Sequence, residues 1–396
     1  MMIDISDKSK CCGCGSCVLV CPKKCIHMEE DKVGFLFPQV EASACIHCGR
    51  CTEICPLHNV PKSEQIKKEV FAALARKFED RFNGSSGGVF GTIAQWVISQ
   101  KGVVFGAGFD ENLKLKCMVA KSEKELPRLY KSKYLQSEIG DQFAEVKGYL
   151  TKGHKVLFCS TPCQVVALKK YLGLESNNPN LIMVDFFCHG VPSQSFFDKC
   201  IKYVETKKRI KIHEYEFRTK VKNGTTPHYY TYKYTTKRGK AKKKTKLYLF
   251  DPFYMGFQKY INLRDSCYNC PYGRGNHCGD MTIGDFHDVD KYVRGINRFD
   301  GISTVIINSD KGKDVWNSIN NELKVYPLEM SVLLKDQAIF SGATPKPEKR
   351  DEFMHDLQNR EFKDVASKWL NSRKEWKKII YYHLPKPIRM ILKRML

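Results

Sequence analysis

The sequence predicts a multidomain chain of α+β and α/β class, in which a small cysteine-rich module precedes a mixed α/β body and a basic helical C-terminal tail. Three observations predict it. Ten of the 18 cysteines fall within the first 55 residues, eight of them in two matching runs. From about residue 70 to residue 330, short apolar segments alternate with segments of helical periodicity, the pattern of layered sheet and helix. Lysine and arginine crowd into two stretches, one of them at the C-terminal end. At 396 residues and 42% hydrophobic side chains, the chain has the length for two or three domains and the apolar content to bury their cores.

The first module is argued from spacing. Cys11, Cys14, Cys17 and Cys21 follow C-x2-C-x2-C-x3-C with Pro22 next, and Cys45, Cys48, Cys51 and Cys55 repeat the pattern before Pro56. The first residues lack the apolar stretch of a secretory signal, so a reducing cytosol is expected, where such clusters point to metal chemistry rather than disulfides. Three thiolates two residues apart let one tight loop hold three corners of an iron–sulfur cubane, and the fourth, on the short helix that follows, ligates the other cluster. The expected 4Fe–4S sites are therefore Cys11, Cys14, Cys17 and Cys55, and Cys45, Cys48, Cys51 and Cys21. Gly13, Gly15 and Gly49 suit a backbone that bends closely around sulfide. Zinc knuckles fit less well, because they draw ligands in two pairs rather than in three-plus-one runs. Cys12 and Cys25 stand outside the pattern and read as ordinary buried or spare thiols. Residues 1–60 thus resemble the two-cluster bacterial ferredoxin module, a carrier of single electrons.

The body follows a polar linker at 61–69. Residues 70–75 read as a strand. Asn83-Gly84-Ser85-Ser86-Gly87-Gly88 then opens a helix in which Val89, Ile93, Trp96 and Val97 recur at helical spacing, with Gly102 as its stop. A Ser/Gly loop at a helix N-terminus either holds phosphate through free N–H groups and the helix dipole, or simply caps the helix. Residues 103–110 read as a strand, 155–173 as strand, turn and helix, and 180–192 as a buried strand running into a loop. Cys163 and Cys188 lie at strand ends, where open α/β sheets bind ligands. Residues 213–235 alternate like antiparallel strands around a turn at Asn223-Gly224. A third cysteine group, Cys267 and Cys270 before Pro271 with Cys278 further on, is either a metal site completed from elsewhere, a redox dithiol, or buried thiols.

The order of motifs SSGGVF, VVFGAGFD, KSKYLQSEIGD, STPCQVVALK, CHGVPS, SCYNCP and GDMTIGDF resembles the coenzyme F-420 hydrogenase/dehydrogenase beta-subunit family. Its N-terminal-type and C-terminal-type domains are expected at 70–155 and 156–345. The resemblance implies a flavin-binding body, with FAD exchanging electrons with 4Fe–4S clusters and with a small molecule: coenzyme F-420, a chlorophyll ring in a plant relative, or another reducible metabolite, for instance in surface-glycan metabolism. It implies that Ser85, Ser86, Gly87 and Gly88 cradle the FAD pyrophosphate and that Lys133, Tyr134, Gln136 and Ser137 line the flavin. Lys133 and His189 are the catalytic candidates, Lys133 as a charge beside a reduced flavin or merely a surface lysine. A third 4Fe–4S cluster is implied at Cys163, Cys188, Cys267 and Cys270, with Cys278 as an alternative ligand. Relatives often carry Trp after the GDF motif, where this chain has His287.

The net charge of +23 is local. Residues 207–246 and 363–396 supply 21 of those charges, which favours docking surfaces on a near-neutral body over general nucleic-acid binding. No aromatic stacking platform accompanies the lysines, and no nucleic-acid partner is expected. Lys233 to Lys246 surround Gly239 and read as a hairpin tip, either a solvated loop or a guide for an acidic electron-donor or acceptor protein. In the tail at 346–396, Trp376, Ile379, Ile380 and His383, then Ile388, Ile391, Leu392 and Met395, fall on helical faces that suit a membrane surface, the body or another subunit. The expectation is an oligomeric cytoplasmic oxidoreductase, peripheral at most to the inner membrane face. The alternative is a non-catalytic electron-transfer subunit that docks to a partner enzyme.

Overall fold

The computed structural model describes residues 3, 6–58, 60, 61, 68–221, 228–273, 275–286, 289–293, 301–337, 340–384 and 388. The N-terminal module follows directly from the duplicated cysteine run. Each run is a loop ending in a short helix, α1 (Ser16–Val20) and α2 (Arg50–Glu53), entered from Gly15 and Gly49 at φ +75° and +78°. That left-handed conformation costs an L-residue roughly 1–2 kcal/mol and glycine very little, so the backbone repeat explains the sequence repeat. Between the runs, β1 (Ile26–Glu30) and β2 (Leu36–Val40) pair as an antiparallel hairpin.

The body continues with β3 (Glu69–Ala75), α3 (Phe78–Asn83), α4 (Val89–Ser99), β4 (Val103–Phe109) and β5 (Leu115–Ala120). Next come α5 (Gln142–Thr151), β6 (Val156–Ser160), α6 (Pro162–Leu172), β7 (Leu181–Phe186) and α7 (Gln194–Lys208). A separate antiparallel sheet, β8 (Ile210–Thr219), β9 (Tyr229–Thr236) and β10 (Ala241–Leu247), precedes α8 (Pro252–Gln258). The chain then re-enters the first sheet through β11 (Met281–Asp285), β12 (Ser303–Ile307), α9 (Asp310–Ile319) and β13 (Leu323–Leu328). It ends in α10 (Met330–Asp336), α11 (Arg350–Asn359), α12 (Phe362–Trp369) and α13 (Trp376–His383).

The main sheet has the order β13-β3-β12-β11-β7-β6-β4-β5, parallel from β11 to β4 and antiparallel on both flanks. It draws strands from both of the segments 70–155 and 156–345. Strand periodicity sorts its two faces. Val104, Leu157, Ile182 and Val184 pack with α4 and α9, whereas Phe105, Val156, Phe158 and Met183 pack with α5 and α6. A three-layer arrangement with buried parallel strands results, as continuous apolar runs require.

A second core is mostly aromatic. Phe196 and Phe197 of α7, Tyr215 and Phe217 of β8, and Phe253 of α8 meet Phe35 and Phe37 of the first hairpin. The expected tail at 346–396 is corrected here. Phe353, Leu357 and Val365 of α11 and α12 are buried in this core, because their helical-period apolar face outweighs the charge around them. In α13 the expected face splits: Ile379 packs on the body while Trp376 and Ile380 are exposed. Ile391, Leu392 and Met395 lie outside the described residues, as do the turn at Asn223-Gly224 and His287. The lysine-rich segment is the β9–β10 hairpin, turning at Gly239 with φ +73°. Among the described residues no helix is long and apolar enough to cross a membrane.

The first hairpin is held on the body at its turn. Ser193 Oγ donates to Val33 O at 2.6 Å, and a Cβ on Gly34, whose φ is +80°, would stand 2.1 Å from Ser195 Cβ. Gly34→Ala is expected to cost about 1–3 kcal/mol through strain and overpacking. Amide exchange should quicken across 26–40 and stay unchanged in β6 and β7; uniform protection in the variant would show that the hairpin is not held there.

Candidate iron–sulfur centres

Cys11, Cys14, Cys17 and Cys55 of the N-terminal module lie near one another. Burial and the nearby Cys14, Cys11, Cys55 and, least of these, Cys51 sulfurs push the Cys17 thiol up, and burial with Cys14 and Cys11 does the same to Cys55. Cys21, Cys45, Cys48 and Cys51 line a different cavity with Pro22, Gly49 and Arg50. The two runs share one local device. Gly13 N–H donates to Cys11 Sγ and His47 N–H to Cys45 Sγ, both at 3.4 Å, with left-handed φ of +67° and +53° at the donors. The first group, the inner site, is buried apart from Cys55, which is partly exposed. In the second group, the outer site, Cys48 reaches solvent.

A third cavity lies beyond the carboxyl ends of β6 and β7. Cys163 reaches it from the first turn of α6, Cys188 from the loop after β7, and Cys267 and Cys270 from the loop after α8. The two loops are tied by a bridge between Pro192 and Leu263. Gly190, at φ +114°, permits the approach, since a Cβ there would stand 2.9 Å from Cys267 Cβ. Backbone N–H groups face the sulfurs: Gly190 toward Cys188, Val191 toward Cys267, Tyr272 and Gly273 toward Cys270. Burial pushes Cys188 well up, Cys267 to about 12 and Cys270 to about 11. As thiolates these four would need bound cationic charge, which an iron–sulfur cluster would supply. Cys278 lines a neighbouring cavity with Lys68, Asp280 and Lys311 instead.

Cys12, read from the sequence as an ordinary buried or spare thiol, is buried and lines this cavity two residues before Cys14 of the inner site. Hydrogen bonding to Cys14 and to Cys163 holds its thiol protonated, well above the ordinary value. The same contacts draw Cys14 down to about 6 and lower Cys163. Among the described residues no three His, Cys, Asp or Glu side chains converge on a single metal ion. A cubane spreads its thiolates over separate irons, so the wider groupings suit clusters rather than mononuclear zinc. Cys25 lies 3.4 Å from Cys21, in the wall of the outer cavity.

His277 also lines the third cavity and was not singled out from the sequence. It is 2% exposed; its Nδ1 bonds Asp185 Oδ1 at 3.0 Å, and its Nε2 has no hydrogen-bond partner among the described residues. Asp185 is fully buried and also accepts from Thr282 Oγ1, Cys278 N–H and Gly279 N–H. A carboxylate behind a histidine fixes its tautomer and turns the second nitrogen outward, the usual support of a ligand or proton-handling histidine.

The residues expected to bind flavin divide into two places. The Ser/Gly loop precedes α4, with Gly88 at φ +88°. Gly87 sits against β3, since a Cβ there would stand 2.2 Å from Ala73 O, and its N–H donates to Ser303 Oγ at 2.9 Å. Ser86 Oγ donates to Ile302 O, and Ser85 Oγ accepts from Ser132 N–H at 2.7 Å. Backbone of the first α4 turn is thus what the loop offers an anion, beside Arg218, which donates to Ser85 O, and Lys220, which donates to Ser86 O. Tyr134 stacks on Phe257 at 4.4 Å and its hydroxyl accepts from Arg218. Lys133 Nζ donates to Tyr130 O at 2.7 Å, and burial with neighbouring Lys131 brings its pKa down to about 7. Gln136 and Ser137, however, line the third cavity. His189 stacks against Tyr260, and its carbonyl accepts from Thr344.

Comparison with known proteins adds two family matches. Residues 153–330 match the family model for the C terminus of the beta subunit in coenzyme F420 hydrogenase/dehydrogenase, and residues 10–59 match the 4Fe-4S dicluster domain. A chain from the xenon-derivatised F420-reducing [NiFe] hydrogenase complex of Methanosarcina barkeri is similar at 16% identity, over 74% of this chain and 92% of that one, with a TM-score of 0.46. No curated protein matches the chain.

Within the matched segment, Asp185→Asn removes a buried carboxylate held by His277, Thr282 and two backbone N–H groups and is expected to cost about 3–5 kcal/mol in denaturant unfolding. Burial alone would raise the Asp185 pKa, but His277 and the donors outweigh it and the pKa is lowered. Its contribution is therefore complete above the ordinary carboxylate value and is lost as pH falls through the lower folded value. The gap between wild type and variant should close in acid below about pH 4; a gap that persists there would mean the carboxylate charge is not its source.

Proposed function

We propose that this chain, whose residues 153–330 match the model for the C terminus of the coenzyme F420 hydrogenase/dehydrogenase beta subunit and whose residues 10–59 match a 4Fe-4S dicluster domain, is a flavin-dependent iron–sulfur oxidoreductase. When bound, the clusters supply single-electron steps and FAD turns them into a two-electron transfer. Cys45, Cys48, Cys51 and Cys21 hold the outer cluster, which exposed Cys48 opens to a redox partner protein. Cys11, Cys14, Cys17 and Cys55 hold the inner cluster, and Cys163, Cys188, Cys267 and Cys270 a third. Ser85, Ser86, Gly87 and Gly88 with the α4 N-terminus receive the FAD pyrophosphate, and Arg218 and Lys220 offset its charge. The small-molecule reactant is coenzyme F420 or another reducible metabolite, surface-glycan metabolism included. The chain works in the cytoplasm as part of an oligomer.

The observation that carries this reading is Cys12, which lines the third cavity with Cys163 and stands two residues before Cys14 of the inner site. A second reading, a non-catalytic electron-transfer subunit, is favoured by the β9–β10 hairpin. Lys242, Lys243 and Lys244 are exposed on β10, an edge strand of its sheet, and suit an acidic partner.

Iron and acid-released flavin, counted per chain in protein purified without oxygen, test the proposal. One FAD with about twelve iron supports it, and Cys188→Ser should then lose about four iron while the remaining eight persist. About eight iron with no flavin sinks the flavoenzyme reading and leaves the carrier. Trp376 and Ile380, exposed beside Lys377 and Lys378, further support peripheral contact with anionic membrane. Deleting 373–396 should abolish flotation with anionic vesicles; a full-length chain that never floats ends that idea.

A further inference from the structure

Among the described residues three arginines are deeply buried, and two have carboxylates. Arg218 pairs with Asp285 at 2.6 Å and Arg350 with Asp265 at 2.8 Å. Arg264 is fully enclosed, yet no carboxylate pairs with it among the described residues. Its Nε donates to Cys11 O at 2.7 Å, one Nη to Leu36 O at 2.7 Å, and the other to Gln136 Oε1 at 3.0 Å. The guanidinium lies 4.2 Å from the Phe37 ring centroid, and its remaining contact is Cys11 Sγ at 3.5 Å. Every partner but the sulfur is a neutral acceptor.

An uncompensated buried cation is strongly unfavourable, so this position calls for an anion. The inner cysteines supply it: the Arg264 charge acts on Cys11 and Cys14, and also on Cys267 of the third cavity. Reducing a cluster adds one negative charge. Burial penalises that charge at the inner site, whereas solvent near Cys48 relieves it at the outer one. Burial alone would therefore leave an incoming electron on the outer cluster.

We propose that Arg264 is the counter-charge of the inner cluster, raising its reduction potential so that electrons entering at the outer site move inward. In that step the outer cluster loses one electron and the inner cluster gains it, with no bond made and no proton moved. Arg264 is a positioning residue: it acts on the cluster through Cys11. The proposal rests on the reading that both cysteine sets hold 4Fe–4S clusters. Wild-type protein without iron sinks that reading, whereas loaded clusters that ignore Arg264 sink only this one.

The test is a reductive titration of full-length, iron-loaded protein followed by electron paramagnetic resonance, with Cys48→Ser identifying the outer signal and Cys188→Ser that of a third cluster, so that the inner signal is the one both variants keep. At the wild-type midpoint of the inner cluster, Arg264→Gln should lower its reduced-to-oxidised ratio about tenfold, equivalent to about 59 mV for one electron, and leave the outer cluster in place. Arg264→Lys, which keeps the charge and loses the fork, should recover at least half of that shift. Equal shifts in both clusters, no shift in either, or a lysine variant as low as the glutamine variant overturns the proposal. If Arg264→Gln sheds iron, Arg264→Lys decides: a near wild-type midpoint supports the counter-charge, and an inner midpoint lowered about tenfold in ratio refutes it.

Discussion

The arrangement depends on how the carbonyl groups of the cysteine loops are satisfied. A loop that wraps three closely spaced thiols has little regular backbone pairing of its own, and buried carbonyls without donors are costly. Body side chains provide the donors. Arg264 reaches Cys11 O, Gln136 reaches Cys12 O and Gly13 O, Lys170 reaches Cys55 O, and Tyr272 reaches Pro56 O. Both cysteine runs are thereby fixed to the body at the ends nearest the third cavity. Gly13 is part of the same constraint, since a Cβ there would stand 2.6 Å from Gln136 Nε2 and 2.7 Å from an Arg264 nitrogen. The module is oriented by its attachments as much as by its own fold.

Much of the architecture was legible in the sequence because it rests on local periodicity. The apolar runs that became β4, β6 and β7 are buried on both faces, and no alternation was needed to find them. Cysteine spacing carries the expected division of the first eight sulfurs for the same reason: neighbours in a tight loop must be neighbours in space. The roles of Cys12, Arg264 and His277 were not legible. Each depends on partners more than 90 residues away: Cys163 for the first, Cys11 for the second, Asp185 for the third. Charge counting also hid α11 and α12, whose apolar stripes are narrow and set among lysines and acids.

Charge and burial differ across the three cysteine sites. The outer site meets solvent through Cys48, the inner site is largely buried and faces a buried guanidinium, and at the third burial drives Cys188 and Cys267 toward their neutral form. Holding negative charge thus costs more at the inner site than at the outer one unless cations or hydrogen-bond donors offset it. Arg264 provides the offset at the boundary between the second and third sites. The N–H groups of Gly190, Val191, Tyr272 and Gly273 provide a weaker one within the third.

One short segment connects the Ser/Gly loop to the cysteine cavity, and the residues expected around a single flavin are divided between them. Ser132 N–H bonds Ser85 at the loop, and four residues later Gln136 borders the cavity and contacts the inner-site backbone. Four residues of extended chain span at most about 14 Å. The loop before α4 and the third cavity are therefore separated by no more than a distance of that order. Substitutions in Lys133, Tyr134 and Gln136 cannot be read as reporting on one ligand alone. Tyr134 is bound to Arg218 on the loop side, while Gln136 is bound to Arg264 on the cysteine side, so the two ends answer to different charges.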